Sequence, residues 1–173
     1  MKSVHLTGQE RFLKPDEIIV SKTDLKGRIS YANRIFMEIG GFNEKELIGQ
    51  PHNILRHPEM PRAVFKLLWE RIQQGKEIFA YVVNRAKNGD HYWVFAHVTP
   101  NFDQSNNIVG FHSSRRRPDK RKIDEVIIPL YQMLLAEENK HANAKEGMNK
   151  SYELLQDILK SKGIGYDEFI FSL

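Results

Sequence analysis

Two polar segments, residues 50–61 and 84–93, carry the side chains of this sequence that are most able to do chemistry. The first reads QPHNILRHPEMP, and it combines two histidines, one arginine and three prolines without a helical or strand period. Because this segment precedes an apolar helical pattern, it predicts a stiff loop that covers a pocket. A small sensory domain needs a loop of this kind.

Arg56 and His57 are the candidate binding residues of the first segment. A guanidinium binds a pyrophosphate through paired, charge-assisted hydrogen bonds, and Arg56 is a candidate for this role, with a solvated loop arginine as the alternative. His57 precedes Pro58, which favours an extended backbone at the histidine and restricts its side-chain direction. We therefore expect His57 either to contact a ligand or to brace the loop. His52 is interpreted as structural.

Asn84 is the candidate polar residue inside the second segment. It follows Ile78, Ala80 and Val82 at a spacing of two, so a strand that buries those three side chains also turns the Asn84 amide inward. The alternative is an asparagine that ends the strand by bonding its own backbone.

Phe65 and Trp69 belong to an apolar stripe at helical spacing that also includes Leu68 and Ile72, which predicts one buried helix face. They are candidates for the walls of an apolar slot, or for plain core residues.

The sequence gives little support for a metal site or for catalysis. His91, His97 and His112 fall on neighbouring predicted strands, but no carboxylate accompanies them at ligand spacing, so we expect no metal site. The sequence also shows no paired-carboxylate, Ser–His–Asp or glycine-rich phosphate-binding signature, and we expect no catalytic turnover.

The amino-acid composition further limits the number of domains and the kinds of site that we expect. The 173 residues are 40% hydrophobic and 28% charged, as expected for a single globular domain with an appendage. The absence of cysteine excludes thiolate metal sites and disulfides. The net charge of +4 is concentrated between Arg115 and Lys122 and is interpreted as a solvated linker face. Neither a membrane span nor an apolar signal sequence is recognised, which predicts a cytoplasmic protein.

The pattern of elements predicts an α+β fold. A hairpin with Asp24 to Gly27 at its turn, two short helices capped by Asn33 and Asn43, and a longer helix precede three strands with period two. The predicted strands are 17–23, 28–32, 77–85, 90–99 and 108–115, and the longer helix spans 61–74. Together they predict a five-stranded antiparallel sheet with small helices on one face.

A helical extension follows. Asp119 is a candidate helix cap, Pro129 kinks that helix or starts a new one, and Gly163 ends an amphipathic helix. The apolar stripes of these helices need a partner, which is the domain itself, a second copy or another protein. The predicted organisation is an N-terminal arm (1–16), a sensory domain (17–117) and a C-terminal helical extension (118–173).

The order of these elements, together with the tripeptide YAN at 31–33, the segment ELIG at 46–49 and the NGD hairpin at 88–90, resembles a PAS domain. More narrowly, the segments 50–61 and 84–93 resemble the sensory domain of the bacterial aerotaxis receptor family, over about residues 17–117. Glu59 stands where that family has aspartate, and Ile78 stands where it has tryptophan.

The resemblance implies noncovalent binding of FAD and transfer of its redox state to a chemotaxis signalling partner. By position it implies six residues in cofactor binding or signalling: Asn33, Arg56, His57, Phe65, Trp69 and Asn84. Because the tail is short, the chain resembles stand-alone sensors that act in trans on a separate receptor, with a possible homodimer through the tail and no contact with nucleic acid. Two alternatives remain open: a haem gas sensor with His52 or His57 as axial ligand, and a cofactor-free interaction module.

Overall fold

Five antiparallel strands form one sheet in the computed structural model, which describes residues 5–173. The strand order is β2-β1-β5-β4-β3. The strands are β1 (Ile19–Thr23), β2 (Ile29–Ala32), β3 (Ile78–Arg85), β4 (His91–Phe102) and β5 (Ile108–Arg116). All five predicted strands are confirmed. β4 runs three residues beyond the predicted end because its pairing with β5 continues to Phe102 opposite Ile108.

Two tight turns set the register of the hairpins. Gly27 and Gly89 have φ angles of 74° and 98°, which favour glycine over residues with a side chain. Asp24 accepts hydrogen bonds through its side chain from the backbone of Lys26 (2.8 Å) and Arg28 (2.9 Å). The local sequence therefore determines these turns, as predicted.

Three helices and a 3-10 turn cover one face of the sheet. They are α1 (Arg34–Gly40), α2 (Glu44–Leu47), the 3-10 turn (His52–Leu55) and α3 (Arg62–Gln73). Asn33 caps α1, and Asn43 with Glu46 forms a complete capping box at α2. The prediction of an irregular loop over 50–61 was wrong in one respect, because residues 52–55 form a short turn of helix between two prolines.

The stripe predicted on α3 is divided between two environments. Of its four residues, Ile72 is buried in the core, whereas Phe65, Leu68 and Trp69 are only partly buried. They keep some exposure because they face a cavity instead of packed side chains. Only part of the helix face that was predicted to be buried is therefore buried in the structure.

The C-terminal extension begins with one continuous helical segment. It consists of α4 (Lys120–Lys122), a π-helical stretch (Ile123–Ile127) and α5 (Ile128–Asn139), and it is followed by α6 (Ala144–Ser161) and α7 (Tyr166–Ser172). Asp119 caps the first turn, as predicted. Pro129 lies inside this continuous helix, where it cannot donate to a carbonyl of the preceding turn, and the wider π-helical turn before it accommodates the ring. No helix among residues 5–173 is both long and apolar enough to cross a lipid bilayer.

The extension packs on its own domain. Tyr131 of α5 donates to the carbonyl of Tyr81 (2.5 Å), and Tyr166 of α7 donates to the carbonyl of Phe79 (3.0 Å). β3 is an edge strand, so these hydroxyls bond carbonyls that no neighbouring strand pairs. Of the partners predicted for the apolar tail helices, the structure shows the domain itself.

Two helices of the extension, α5 and α6, also contact α3. Glu138 accepts a hydrogen bond from the backbone of Ala63 at the start of α3 (3.0 Å), and Tyr152 of α6 donates to Glu70 (2.7 Å). The close approach of α5 and α6 requires Gly147, because a Cβ there would lie 2.4 Å from the carbonyl oxygen of Glu138.

The N-terminal arm follows the β3–β4 turn over its described residues. Backbone hydrogen bonds join Thr7 to Gly89 (3.1 Å) and Arg11 to His91 (2.7 Å). The Arg11 guanidinium also pairs with Asp90 at 2.7 Å. Residues 1–4 of the predicted arm lie outside the described part of the chain.

Candidate functional site

A cavity of about 480 Å³ lies between the sheet, α3 and the loop that precedes α3. This volume falls within the range of small-molecule sites in proteins, about 300–1,000 Å³. The apolar part of its lining includes Phe65, Leu68, Trp69, Ile72, Val82, Ala96, Val98 and Phe111. The cavity is therefore a mainly apolar slot between one face of the sheet and one face of a helix.

Trp69 is fixed in place by contacts on two sides. Its ring meets Phe111 edge to face, with 5.5 Å between the centroids. On another side it lies against Gly27, where a Cβ atom would stand 3.1 Å from two atoms of the indole. A side chain at position 27 would displace the ring, so the glycine of the first hairpin also shapes the cavity.

Asn84 projects from β3 into this cavity and is 4% exposed. Its Nδ2 has no hydrogen-bond partner among the described residues. Because a buried amide without a partner costs about 1–3 kcal/mol, a ligand that accepts a hydrogen bond here would be stabilised. The predicted inward orientation of Asn84 is observed, and its amide nitrogen has no partner in the described part of the protein.

Four basic side chains that are exposed or partly buried belong to the cavity lining. Arg56 is partly buried, and its guanidinium carbon lies 4.9 Å from the centroid of the Phe65 ring. Burial lowers the pKa of Arg56, and the positive charge of Arg62 lowers it further. Lys26, Arg62 and Lys66 also line the cavity. This arrangement suits an anionic group such as a pyrophosphate.

Arg115 is a cavity residue that the sequence interpretation missed. It was assigned to a solvated basic face, but it is 2% exposed on the inward side of β5. The error came from counting Arg115 with its exposed neighbour Arg116. Strand parity was the usable signal, because Arg115 is in phase with the inward Phe111, as Asn84 is in phase with Val82.

His52 lies beside Arg115 in the cavity lining. One guanidinium nitrogen of Arg115 is 3.3 Å from Nε2 of His52, so Nε2 acts as the acceptor of this hydrogen bond. Burial, together with the nearby positive charge of Arg115, lowers the pKa of His52 to about 3. The histidine is therefore neutral, and its structural interpretation agrees with these contacts.

Two of the six predicted binding residues lie outside the cavity lining. Asn33 uses its side chain to accept from the backbone of Val20 (3.0 Å) and Phe36 (3.1 Å) and to donate to Ile18 (2.8 Å). Its amide therefore joins α1 to β1. The structure brings the other four, Arg56, Phe65, Trp69 and Asn84, to one cavity.

His57 has a bracing position in the loop. It is buried, its Nδ1 accepts from the backbone of Glu59 at 3.2 Å, and its ring packs against His91 at 5.5 Å between centroids. Burial lowers the pKa of His57. Of its two predicted roles, bracing the loop is the one these contacts provide.

This geometry does not support a haem site or a metal site, both of which need a histidine ligand. Nε2 of His52 is bonded to a guanidinium, and His57 does not line the cavity, so neither is an available axial ligand for haem. Within residues 5–173, no cluster of three or more His, Asp or Glu side chains is suited to holding a metal ion. His97 instead bonds Glu77 at 2.7 Å.

Taken together, the residues of the lining suit a planar, largely apolar ligand that carries hydrogen-bond acceptors and negative charge. Trp69 and Phe65 offer aromatic surface, Asn84 offers an unpaired donor, and the basic side chains offer positive charge. A flavin nucleotide has these three properties, with its fused ring, its carbonyl groups and its phosphates.

Comparison with protein families gives a direct match. The family described as the PAS fold matches residues 29–115, which is about half of the chain. The matched range begins at β2 and ends in β5, so it includes α3, β3 and β4, which supply much of the cavity lining.

Among proteins of known function, the aerotaxis receptor of Escherichia coli K12 is 40% identical over 132 residues. This match covers 76% of the chain but only 26% of the receptor. The chain thus spans about a quarter of the length of this relative.

Solved structures share the fold. The light state of the blue-light photoreceptor Aureochrome1 LOV matches with a TM-score of 0.57 and 24% identity, over 63% of this chain and 88% of that one. A light-oxygen-voltage domain studied with a flavin analogue matches with a TM-score of 0.56 and 18% identity, over 72% and 87%. At these identities the likeness concerns the fold alone.

Proposed function

Since this chain belongs to the PAS family, we propose that it is a sensor that binds FAD noncovalently in the cavity beneath α3 and signals its redox state in trans. The observation that carries this proposal is the buried, unpaired amide of Asn84 in the lining of an apolar slot that Trp69 also lines. The similarity to an aerotaxis receptor supports a role in aerotaxis or energy taxis. The proposed partner is a chemoreceptor or another signalling protein.

Each part of the cofactor has residues suited to it. The apolar side chains of α3 and the sheet would hold the faces of the flavin ring, and Asn84 would donate to an acceptor at its edge. Arg56 and its basic neighbours would hold the phosphates. The flavin, when bound, supplies the redox chemistry, because reduction changes the charge and protonation of its ring.

The extension provides a route for the signal. α3 carries Trp69 on its cavity side, and it bonds α5 and α6 through Ala63 and Glu70. Met148 of α6 also reaches the cavity lining. A change in the hydrogen bonds around the ring would therefore shift the contacts that hold the extension, and the extension would present the altered surface to a partner.

The proposed role is sensing without catalytic turnover, and the proposed location is the cytoplasm. No second function is proposed, because neither histidine considered for haem is available in the cavity. The cofactor-free alternative would leave the amide of Asn84 without a partner, since no side chain among residues 5–173 bonds it.

Visible absorption spectra of the purified protein, before and after dithionite, test the proposal. We expect a flavin spectrum that bleaches on reduction, or uptake of FAD at one equivalent when FAD is added to colourless protein. A protein that carries no chromophore and takes up no FAD would refute the function.

Two variants test where the flavin lies. Asn84→Ala and Trp69→Ala should reduce FAD stoichiometry after gel filtration, because the first removes a donor and the second removes ring surface. Asn101→Ala is the matched control, since Asn101 lies on β4 outside the cavity lining. If both cavity variants retain FAD at the wild-type level, the site has been placed wrongly.

A further inference from the structure

The guanidinium of Arg115 is a buried charge in the lining of the cavity. Arg115 is 2% exposed, and its neighbours are the Ser21 hydroxyl, to which it donates, the neutral His52 and the ring of Phe36. The guanidinium carbon lies 4.8 Å from the centroid of the Phe36 ring. All three of these neighbours are uncharged.

No carboxylate compensates this charge. Among the described residues, no Asp or Glu oxygen lies within 4 Å of the Arg115 guanidinium, and its Nε has no hydrogen-bond partner. The four remaining residues, MKSV, contain no acidic side chain. Burial lowers the pKa of Arg115 to about 10, so the group still carries its proton at neutral pH.

A buried charge without a partner is costly to folding. Replacing such a group with an apolar side chain of similar volume is often neutral or stabilising. The hydrogen bonds to Ser21 and His52 use only the two terminal nitrogens of the guanidinium. The arginine also lines a cavity, and its Nε has no hydrogen-bond partner among the described residues.

We propose that Arg115 is a further cofactor-binding residue, which supplies the counter-charge for an anionic group of the bound flavin nucleotide. This inference rests on the proposed function. FAD has two such groups, the phosphates and the ring in its reduced form. The four basic residues of the lining that are exposed or partly buried already suit the phosphates, so the buried position of Arg115 favours the ring.

Three variants test the assignment, and two of them concern Arg115 itself. Arg115→Met removes the charge but keeps much of the volume, and Arg115→Lys keeps the charge. Arg71→Met is the matched control, because Arg71 is a partly buried arginine that pairs with Asp167 away from this cavity. Each protein is stripped of cofactor, and its melting temperature and its affinities for FAD and riboflavin are measured under oxidising and reducing conditions.

We expect Arg115→Met to melt at or above the wild-type temperature while its affinity for reduced FAD falls by at least about tenfold, the usual effect of losing a charge-assisted hydrogen bond. Arg71→Met should do the reverse and melt lower with unchanged affinity. Arg115→Lys should recover part of the affinity. A loss confined to reduced flavins, with riboflavin affected as FAD is, identifies the ring as the anionic group; an equal loss for both redox states of FAD but none for riboflavin identifies the phosphates.

Unchanged affinity of Arg115→Met for every ligand would overturn the assignment, whatever its melting temperature. If Arg115→Met both melts lower and binds less, failure of Arg115→Lys to recover affinity would also overturn it. Both results differ from failure of the proposed function, which appears as wild-type protein that binds no flavin at all.

Discussion

Replacing His52 with glutamine should make the free energy of unfolding less sensitive to acid. The histidine is held neutral in the folded protein, because burial and the adjacent Arg115 lower its pKa to about 3. In the unfolded chain, a histidine has its ordinary pKa of about 6.5. Glutamine has a side-chain oxygen that can accept from Arg115, as Nε2 of His52 does, but it does not titrate.

The sign and size follow from proton linkage. Because the folded-state pKa is depressed, the contribution of His52 to stability is fully present above pH 6.5 and is lost as the pH falls toward 3. Between pH 7 and pH 5 the unfolded chain takes up a proton that the folded protein does not. This difference amounts to about 2 kcal/mol of lost stability for the wild-type protein.

Urea denaturation of cofactor-free wild-type protein and of His52→Gln, at several pH values from 5 to 8, measures this effect. The difference between the two unfolding free energies should be constant above pH 7, which is the internal control, and should change by about 2 kcal/mol on acidification to pH 5. Burial also lowers the pKa values of His57 and His112, but both residues are present in both proteins and cancel. Parallel pH profiles for the two proteins would refute the reasoning.

The docking of the extension gives two further predictions, both measured by urea denaturation. Tyr131→Phe removes the 2.5 Å hydrogen bond to the Tyr81 carbonyl and should lower the free energy of unfolding by about 1–2 kcal/mol; an unchanged value would mean that water replaces the hydroxyl. Gly147→Ala places a Cβ 2.4 Å from the Glu138 carbonyl oxygen and should cost about 1–3 kcal/mol by pushing α5 and α6 apart. A Gly147→Ala protein as stable as wild type would show that these helices are not held at this distance.

Much of the fold was predictable because its signals are local. The turn at Gly27, the cap at Asn43 and the period-two strands each depend on residues that are close in sequence. The inward orientation of Asn84 followed in the same way, since side chains alternate along a strand. These features were predicted from residue order and confirmed in the structure.

The cavity lining was predicted only in part. Arg56, Phe65, Trp69 and Asn84 line one cavity, as the resemblance to the aerotaxis receptor family implied. The same resemblance implied Asn33 and His57, whose side chains bond the local backbone instead. Similarity of type and spacing identifies residues that matter, but it does not separate those that touch a ligand from those that hold the scaffold.

The sequence by itself determined the secondary elements and the antiparallel sheet, because hydrophobic period and turn chemistry act over a few residues, and the resemblance of its motifs identified the PAS fold. Only the tertiary structure decided that Arg115 is buried while Arg116 is exposed, and that the apolar stripes of the extension cover the edge of β3. Both outcomes depend on which surfaces distant in sequence meet, and the pattern of one segment does not specify its partner.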